Sequence, residues 1–178
     1  MEHIIREAVV GDAAAIGRVH MTCWREAYAH FLSPEFFAAN PPERSAARWE
    51  SSLGRLSAAR AGGGPSSVAV EPGAVERQVW VAERAGEIVG FAMRGPAVGT
   101  PPPRALELYA IYLLESEHGS GAGQSLLDHS IGDVPATLWV ADQNPRAVAF
   151  YRRNGFEFDG ARDVVADMEN TVEFRMVR

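Results

Sequence analysis

The chain has 178 residues and a formal net charge of −6, with 47% hydrophobic and 22% charged residues; this suits one globular domain with a sizeable core and gives no electrostatic footprint for nucleic acid. All 17 cationic side chains are arginines, which excludes a phosphate loop ending in Gly-Lys-Ser/Thr and any Schiff base on lysine. The one cysteine, Cys23, forms no internal disulfide and fits a reducing cytoplasm, no apolar run reaches the roughly 20 residues of a membrane span, and the first seven residues are too mixed for a secretory signal.

Residues 4–8 read as a strand, after which Asp12 is placed to cap a helix whose Ile16, Val19, His20, Cys23, Ala27 and Phe31 recur at three and four. His20 in that stripe reads as a packed core histidine. Trp24 and Tyr28 stand one turn apart beside it, as core residues or as the rim of a neighbouring cleft. Ser33-Pro34-Glu35 opens a second helix, which Pro41-Pro42 interrupts and which resumes through Arg48 and Trp49. Residues 58–76 break all periodicity and include Ala61-Gly62-Gly63-Gly64-Pro65-Ser66-Ser67, an insertion flexible by composition.

Residues 78–84 and 87–94 alternate around Ala85-Gly86, the pattern of a β-hairpin. A long strand over 105–114 leads to a loop with three glycines at alternate positions, Gly119, Gly121 and Gly123, and then to a helix over 121–131. The first amides of a helix lack partners and favour negative charge, and glycine lets an anion approach them closely. The loop is therefore either a phosphate cradle or an ordinary turn; its spacing is not that of a dinucleotide fingerprint. A short strand over 136–140 follows. Asn144-Pro145 starts the last helix, Asn154-Gly155 ends it with a left-handed cap, and strands over 156–165 and 171–177 close the chain.

Few residues are suited to chemistry. Strict alternation puts Glu107 on one strand face with Tyr109, Ile111 and Leu113, where desolvation raises a carboxylate toward the range of a general base; alternatively it reaches water or pairs with Arg94 or Arg104. Tyr151, seven residues after Asn144, is either a core phenol or a proton donor to a departing thiolate. Ser125, Asp128 and His129 fall within two turns of one helix and do not make a hydrolase triad, and the five histidines show no metal-ligand spacing.

Two stretches together resemble the GCN5-related N-acetyltransferase (GNAT) family. Residues 118–123 are similar to its (R/Q)-x-x-G-x-G/A acetyl-CoA motif. Residues 144–156, Asn144-Pro145-Arg146-Ala147-Val148-Ala149-Phe150-Tyr151-Arg152-Arg153-Asn154-Gly155-Phe156, are similar to its N-x-x-A-x-x-(F/L)-Y-x-x-x-G-F signature. The segment Trp24-Arg25-Glu26-Ala27-Tyr28, with Leu32-Ser33-Pro34 after it, looks like the acceptor-side helix of many bacterial members.

The resemblance implies an α/β (α+β) fold over 1–178 as a single domain, with a mixed sheet of about six to seven strands and about four helices. It implies direct transfer of acetyl from acetyl-CoA, without a metal, to the amine of a small or amino-acid-like acceptor in the cytoplasm. Alternatives are a protein or peptide acceptor, or a catalytically silent acyl-CoA-binding module. By position, Ile111, Tyr112 and Leu113 bond the pantetheine arm and acetyl carbonyl; His118, Gly119, Ser120, Gly121, Ala122, Gly123 and Gln124 hold the pyrophosphate. Asn144 also contacts the cofactor, Tyr151 protonates the leaving thiolate, Glu107 is the base, and Trp24 and Tyr28 face the acceptor. Family members are often homodimers. Two positions depart from the pattern: His118 replaces Arg or Gln, and residues 138–141 lack the glutamate used by members that acetylate peptide α-amines.

Overall fold

The computed structural model describes residues 2–61, 75–99 and 101–178. Strand β1 (Ile4–Glu7) is followed by helices α1 (Ala13–Tyr28), α2 (Pro34–Ala39) and α3 (Pro42–Ala61). The hairpin β2 (Gln78–Arg84) and β3 (Glu87–Pro96) leads to β4 (Leu106–Leu113), α4 (Ala122–Ser130), β5 (Ala136–Ala141), α5 (Pro145–Arg153), β6 (Glu157–Val165) and β7 (Thr171–Val177). The seven strands form one mixed sheet in the order β1-β2-β3-β4-β5-β7-β6, with β4 and β5 its parallel pair. Among the described residues the strand count matches the expectation, and Pro41-Pro42 makes two separate helices, so there are five α-helices there where about four were expected.

Helices start where the sequence marks them. The Ser33 hydroxyl accepts the Phe36 N–H at 3.0 Å, and the Asn144 side chain accepts that of Ala147 at 3.0 Å, each followed by proline in the first turn. Asp12 differs from expectation: its carboxylate makes no cap bond to α1. Arg6 holds it at 2.7 and 2.9 Å and the Val9 N–H at 2.8 Å, because β1 carries a guanidinium within reach, a stronger partner than a neutral amide. Helix α3 also runs past residue 58 to Ala61, since Ala58, Ala59, Arg60 and Ala61 are strong helix formers. Residues 62–74, the greater part of the expected insertion, lie outside the described residues.

Helices α1 and α3 cover one face of the sheet and α4 the other. Ile16, Val19, Cys23, Trp49, Leu53 and Phe91 form the first layer; Leu106, Leu108, Leu126, Leu127, Leu138, Phe156 and Met176 form the second. Gly17 lets α1 and α3 meet, because a Cβ there would lie 2.6 Å from the Ala46 nitrogen. His20 is a core histidine, as its place in the stripe predicts: it accepts or shares hydrogen bonds with Trp49 (3.3 Å) and Ser45 (3.2 Å), and burial lowers its pKa to about 4. Burial likewise pushes the Cys23 thiol up to about 12.

Strand β4 departs from strict alternation. Met93 faces Ala110 and Arg94 faces Leu108, so Tyr109 is an extra residue on β4, a bulge. The bulge resets the faces: Leu106, Leu108, Ile111 and Leu113 pack toward α4, while Ala110 and Tyr112 pack toward α1. Glu107 is therefore not on the face of Ile111 and Leu113, as alternation predicts, but on the side of Ala110 and Tyr112.

Candidate active site

The bulge coincides with the end of parallel pairing. β4 pairs β5 only from Leu106↔Ala136 to Leu108↔Leu138; beyond that β4 stays with β3 and β5 stays with β7, leaving an open gap between them. The Leu114 N–H donates to the Val89 carbonyl at 3.0 Å, and alternation from that bond turns the peptide groups of Ala110 and Tyr112 toward β3 and those of Ile111 and Leu113 toward the gap. Of the three strand residues named from the sequence, Ile111 and Leu113 thus present backbone to the gap, and Tyr112 presents its ring to the α1 side.

The glycine loop lies at the end of this strand. A buried carboxylate fixes its entrance: Glu117, 5% exposed, bonds His3 at 2.9 Å and Arg84 at 2.7 Å, and these partners hold its pKa below the usual range. The Glu115 N–H is held by the Glu26 carboxylate at 3.0 Å, which ties the same turn to α1. Gly119 (φ +81°) and Gly121 (φ +91°) adopt the left-handed backbone that favours glycine, and nothing lies within 4 Å of a Cβ built on either. Among the described residues the amides of Gly119, Gly121, Gly123 and Gln124 have no hydrogen-bond partner, while that of Ala122 receives only the Ser120 hydroxyl at 3.3 Å. The loop is an open row of amides at the start of α4, the arrangement that accepts a phosphate.

Two side chains of the loop turn elsewhere. The His118 ring bonds the Leu113 carbonyl at 3.1 Å and its amide bonds the Glu115 carbonyl at 3.0 Å, so both polar groups are engaged by the strand and turn that precede them. The Gln124 amide spans Asp128 and Asn154, both at 2.8 Å, joining α4 to the end of α5. His129 bonds the Ser125 carbonyl at 2.7 Å, an intrahelical contact without triad geometry.

Three phenols meet beside the gap. Tyr28 and Tyr151 are each 7% exposed, and burial raises the pKa of both; it raises that of Tyr112 as well. The Tyr28 hydroxyl faces the side chains of Asn144 and Tyr112, and Tyr151 is close enough to Tyr28 and Glu173 for their charges to hold its own proton on. Among the described residues the Tyr151 hydroxyl has no hydrogen-bond partner, while its ring is set edge-on to Phe150 and Phe156 at 5.5 and 5.9 Å. Tyr28 is thus buried, where a rim was one expectation. Trp24 stacks on Phe36 at 5.7 Å and meets Tyr28 edge-on at 5.9 Å, its indole N–H buried without a partner.

Glu107 is 6% exposed and its Oε2 accepts the Val98 N–H at 3.0 Å. Burial raises its pKa, opposed by that bond and by Arg175. Neither arginine proposed as its partner reaches it: Arg94 bonds Gln78, and Arg104 bonds the carbonyls of Arg178 and Pro103. Sequence reasoning missed Glu173 on β7, whose pKa is raised by burial and by the neighbouring charges of Asp163 and Glu107. In the sequence it is one glutamate in an alternating strand, indistinguishable from a solvated face.

The gap, the amide row and the phenols are built mostly from the middle of the chain, and there the comparison with known proteins falls. Residues 76–158 match the profile of the family described as Acetyltransferase (GNAT) domain. The protein of Mycobacterium tuberculosis named probable N-acetyltransferase Rv2775 is 27% identical over 161 residues, 88% of this chain and 80% of that one. The uncharacterized N-acetyltransferase Mb2688 of Mycobacterium bovis is 33% identical over 110 residues, 57% of this chain and 67% of that one. In fold, the chain is similar to the PaiA N-acetyltransferase of Thermoplasma acidophilum, solved in complex with coenzyme A: TM-score 0.70, 19% identity and 98% of both chains. The strand gap and glycine loop are thus carried on the sheet, sequence and profile of one enzyme group, and the chain is an acyltransferase belonging to the GNAT family.

Proposed function

We propose that the chain transfers acetyl from acetyl-CoA to the amine of a small, amino-acid-like acceptor in the cytoplasm. The observation that carries this reading is the coincidence of an open strand edge, a row of free amides and an unpartnered buried phenol within one gap. Acetyl-CoA supplies the acyl thioester. The peptide groups of Ile111 and the N–H of Leu113, whose carbonyl is held by His118, would bond its pantetheine arm as a further strand would, and the amides of Gly119, Gly121, Ala122, Gly123 and Gln124 would take the pyrophosphate. His118 and Ser120 shape that loop more than they touch phosphate: the His118 ring is spent on Leu113 and the Ser120 amide on the Glu117 carbonyl at 3.2 Å. Asn144 sets the start of α5 and faces Tyr28 across the gap. Tyr112 lines the acceptor side with its ring.

The residues divide the proton transfers. Burial raises the Tyr151 pKa, so the hydroxyl carries its proton at neutral pH and is the acid this reading assigns to sulfur. Glu107 lies at the paired end of β4, before the bulge, and receives a proton from the acceptor through water. Trp24, Tyr28 and Phe36 form an aromatic wall on the acceptor side, suited to the carbon skeleton of a small amine. Residues 138–141 carry no carboxylate, which favours such an acceptor over a peptide α-amine.

The test is release of free thiol from acetyl-CoA across a panel of amines, amino acids, peptides and aminoglycosides. Thiol released in step with an N-acetylated small amine is the expected result. Turnover confined to peptides would replace the acceptor class, and binding of acetyl-CoA without turnover on any amine would leave a binding module.

A further inference from the structure

One carboxylate in the site has no partner. Asp163 accepts the Val164 N–H at 2.8 Å, Asp159 holds Arg175 at 2.8 Å and Glu107 holds the Val98 N–H, but half-buried Glu173 has no hydrogen bond or ion pair to any described residue. Its position is fixed by two cross-strand neighbours, Ala141 on β5 and Asp163 on β6. Ala141 is the last residue of β5, on the far wall of the gap, and packs with Met21, Tyr28, Leu32 and Phe37. Directly opposed residues share a face of the sheet, so Glu173 stands beside Tyr28 on the acceptor side. An independent feature marks the same space: the unpartnered hydroxyl of Tyr151, on a side chain more than nine-tenths buried, lies within electrostatic reach of Glu173.

We propose that Glu173 is the carboxylate that meets the acceptor's ammonium and takes its first proton, with Glu107 standing behind it as the water-linked outlet. This deepens the acetyl-transfer reading and rests on it. The acceptor enters as R–NH3+, and Glu173 removes one proton to give R–NH2. The nitrogen forms its bond to the acetyl carbon as the carbon–sulfur bond breaks, Tyr151 gives its proton to sulfur, and the second excess nitrogen proton restores Tyr151. The proton on Glu173 leaves by way of Glu107 to water, so the enzyme ends as it began.

The charges facing Glu173 suit this role. Asp163 from β6 and Glu107 from β4 raise its proton affinity, as burial does; Tyr28 from α1 and Tyr151 from α5 face it as neutral phenols; and Arg175 on its own strand is held by Asp159. A carboxylate so raised is protonated at a higher pH than an ordinary glutamate, and it acts as a base only above that point.

The test compares two small amines in parent and Glu173→Gln: ethanolamine, protonated at neutral pH, and hydroxylamine, largely neutral there. The proposal expects Glu173→Gln to lower thiol release with ethanolamine about 10²- to 10⁴-fold and to leave that with hydroxylamine within about three-fold of the parent. Carbon-13 NMR of the free protein should show the Glu173 carboxylate titrating above the ordinary glutamate range, and lower in Glu107→Gln. An equal loss with both amines, no loss with either, parent turnover with hydroxylamine alone, or an ordinary titration would overturn it. Failure of the parent to bind acetyl-CoA, or to release thiol with these two amines and with every other acceptor of the panel, would instead overturn the acetyl-transfer reading. An acetyl-CoA-induced rise in melting temperature equal to the parent's shows that Glu173→Gln is folded.

Discussion

Tyr151→Phe lowers kcat by about 10²- to 10⁴-fold and leaves the affinity for acetyl-CoA within about two-fold of the parent's. The substitution removes one oxygen and nothing else. The Tyr151 hydroxyl has no partner among the described residues, so its loss orphans no buried donor or acceptor. The ring keeps its edge contacts with Phe150 and Phe156, and the melting temperature should stay close to the parent's. What disappears is a proton held by burial next to the gap in which the proposed reaction releases sulfur. The effect therefore appears in kcat, because an interaction made only as the carbon–sulfur bond breaks stabilises the transition state and not the bound cofactor. Steady-state kinetics and a cofactor titration on the same preparation check both halves. An unchanged kcat would remove Tyr151 as the acid, and a large loss of cofactor affinity would make it a binding residue.

Glu107→Gln produces the second large effect, a fall in kcat of about 10²-fold whose size depends on pH. Glutamine can still accept the Val98 N–H, so the local fold is retained. The sign follows from the direction of the shift. Burial raises the Glu107 pKa, so the parent's base is ionised above that raised value and is lost as pH falls through it. Between the carboxylate's pKa and that of the acceptor ammonium the parent has Glu107 to carry the proton away and the variant does not, so the deficit is fullest there. It narrows as pH nears the pKa of the amine, which then deprotonates without help. Because Glu107 also raises Glu173, the variant's remaining acidic limb should move to lower pH. Rate–pH profiles of the two proteins test this, and superimposable profiles would assign the proton to another group.

Much of the candidate site's local backbone was legible because its parts are local. The amides at the loop depend on Gly119 and Gly121 in left-handed conformations, which the sequence announces by placing glycine there. Asn144-Pro145 announces the start of α5 and Gly155, at φ +80°, its end. The order of strands and helices follows from the same punctuation.

What escaped depends on pairing between distant segments. The bulge at Tyr109 exists only in the register of β4 against β3, and it overturned the face assigned to Glu107. Asp12 carries a cap signal, yet Arg6 captures it once β1 lies alongside. Glu173 became visible only when β7 was placed beside β5, where a charge on an alternating strand lies half-buried opposite Ala141. Periodicity reports which residues share a face within one element. It carries no information on what the next element brings to that face.

In the proposed reaction the open edge of β4 and the amide row at the start of α4 form one binding surface for acetyl-CoA. Residue-resolved amide hydrogen exchange with and without coenzyme A tests that surface residue by residue. The Ile111, Leu113, Gly119, Gly121, Gly123 and Gln124 amides should become protected on adding the cofactor, with the amide of Tyr112 unchanged because it is already bonded to β3. Coenzyme A binding that leaves those amides exchanging at their free rates would contradict it.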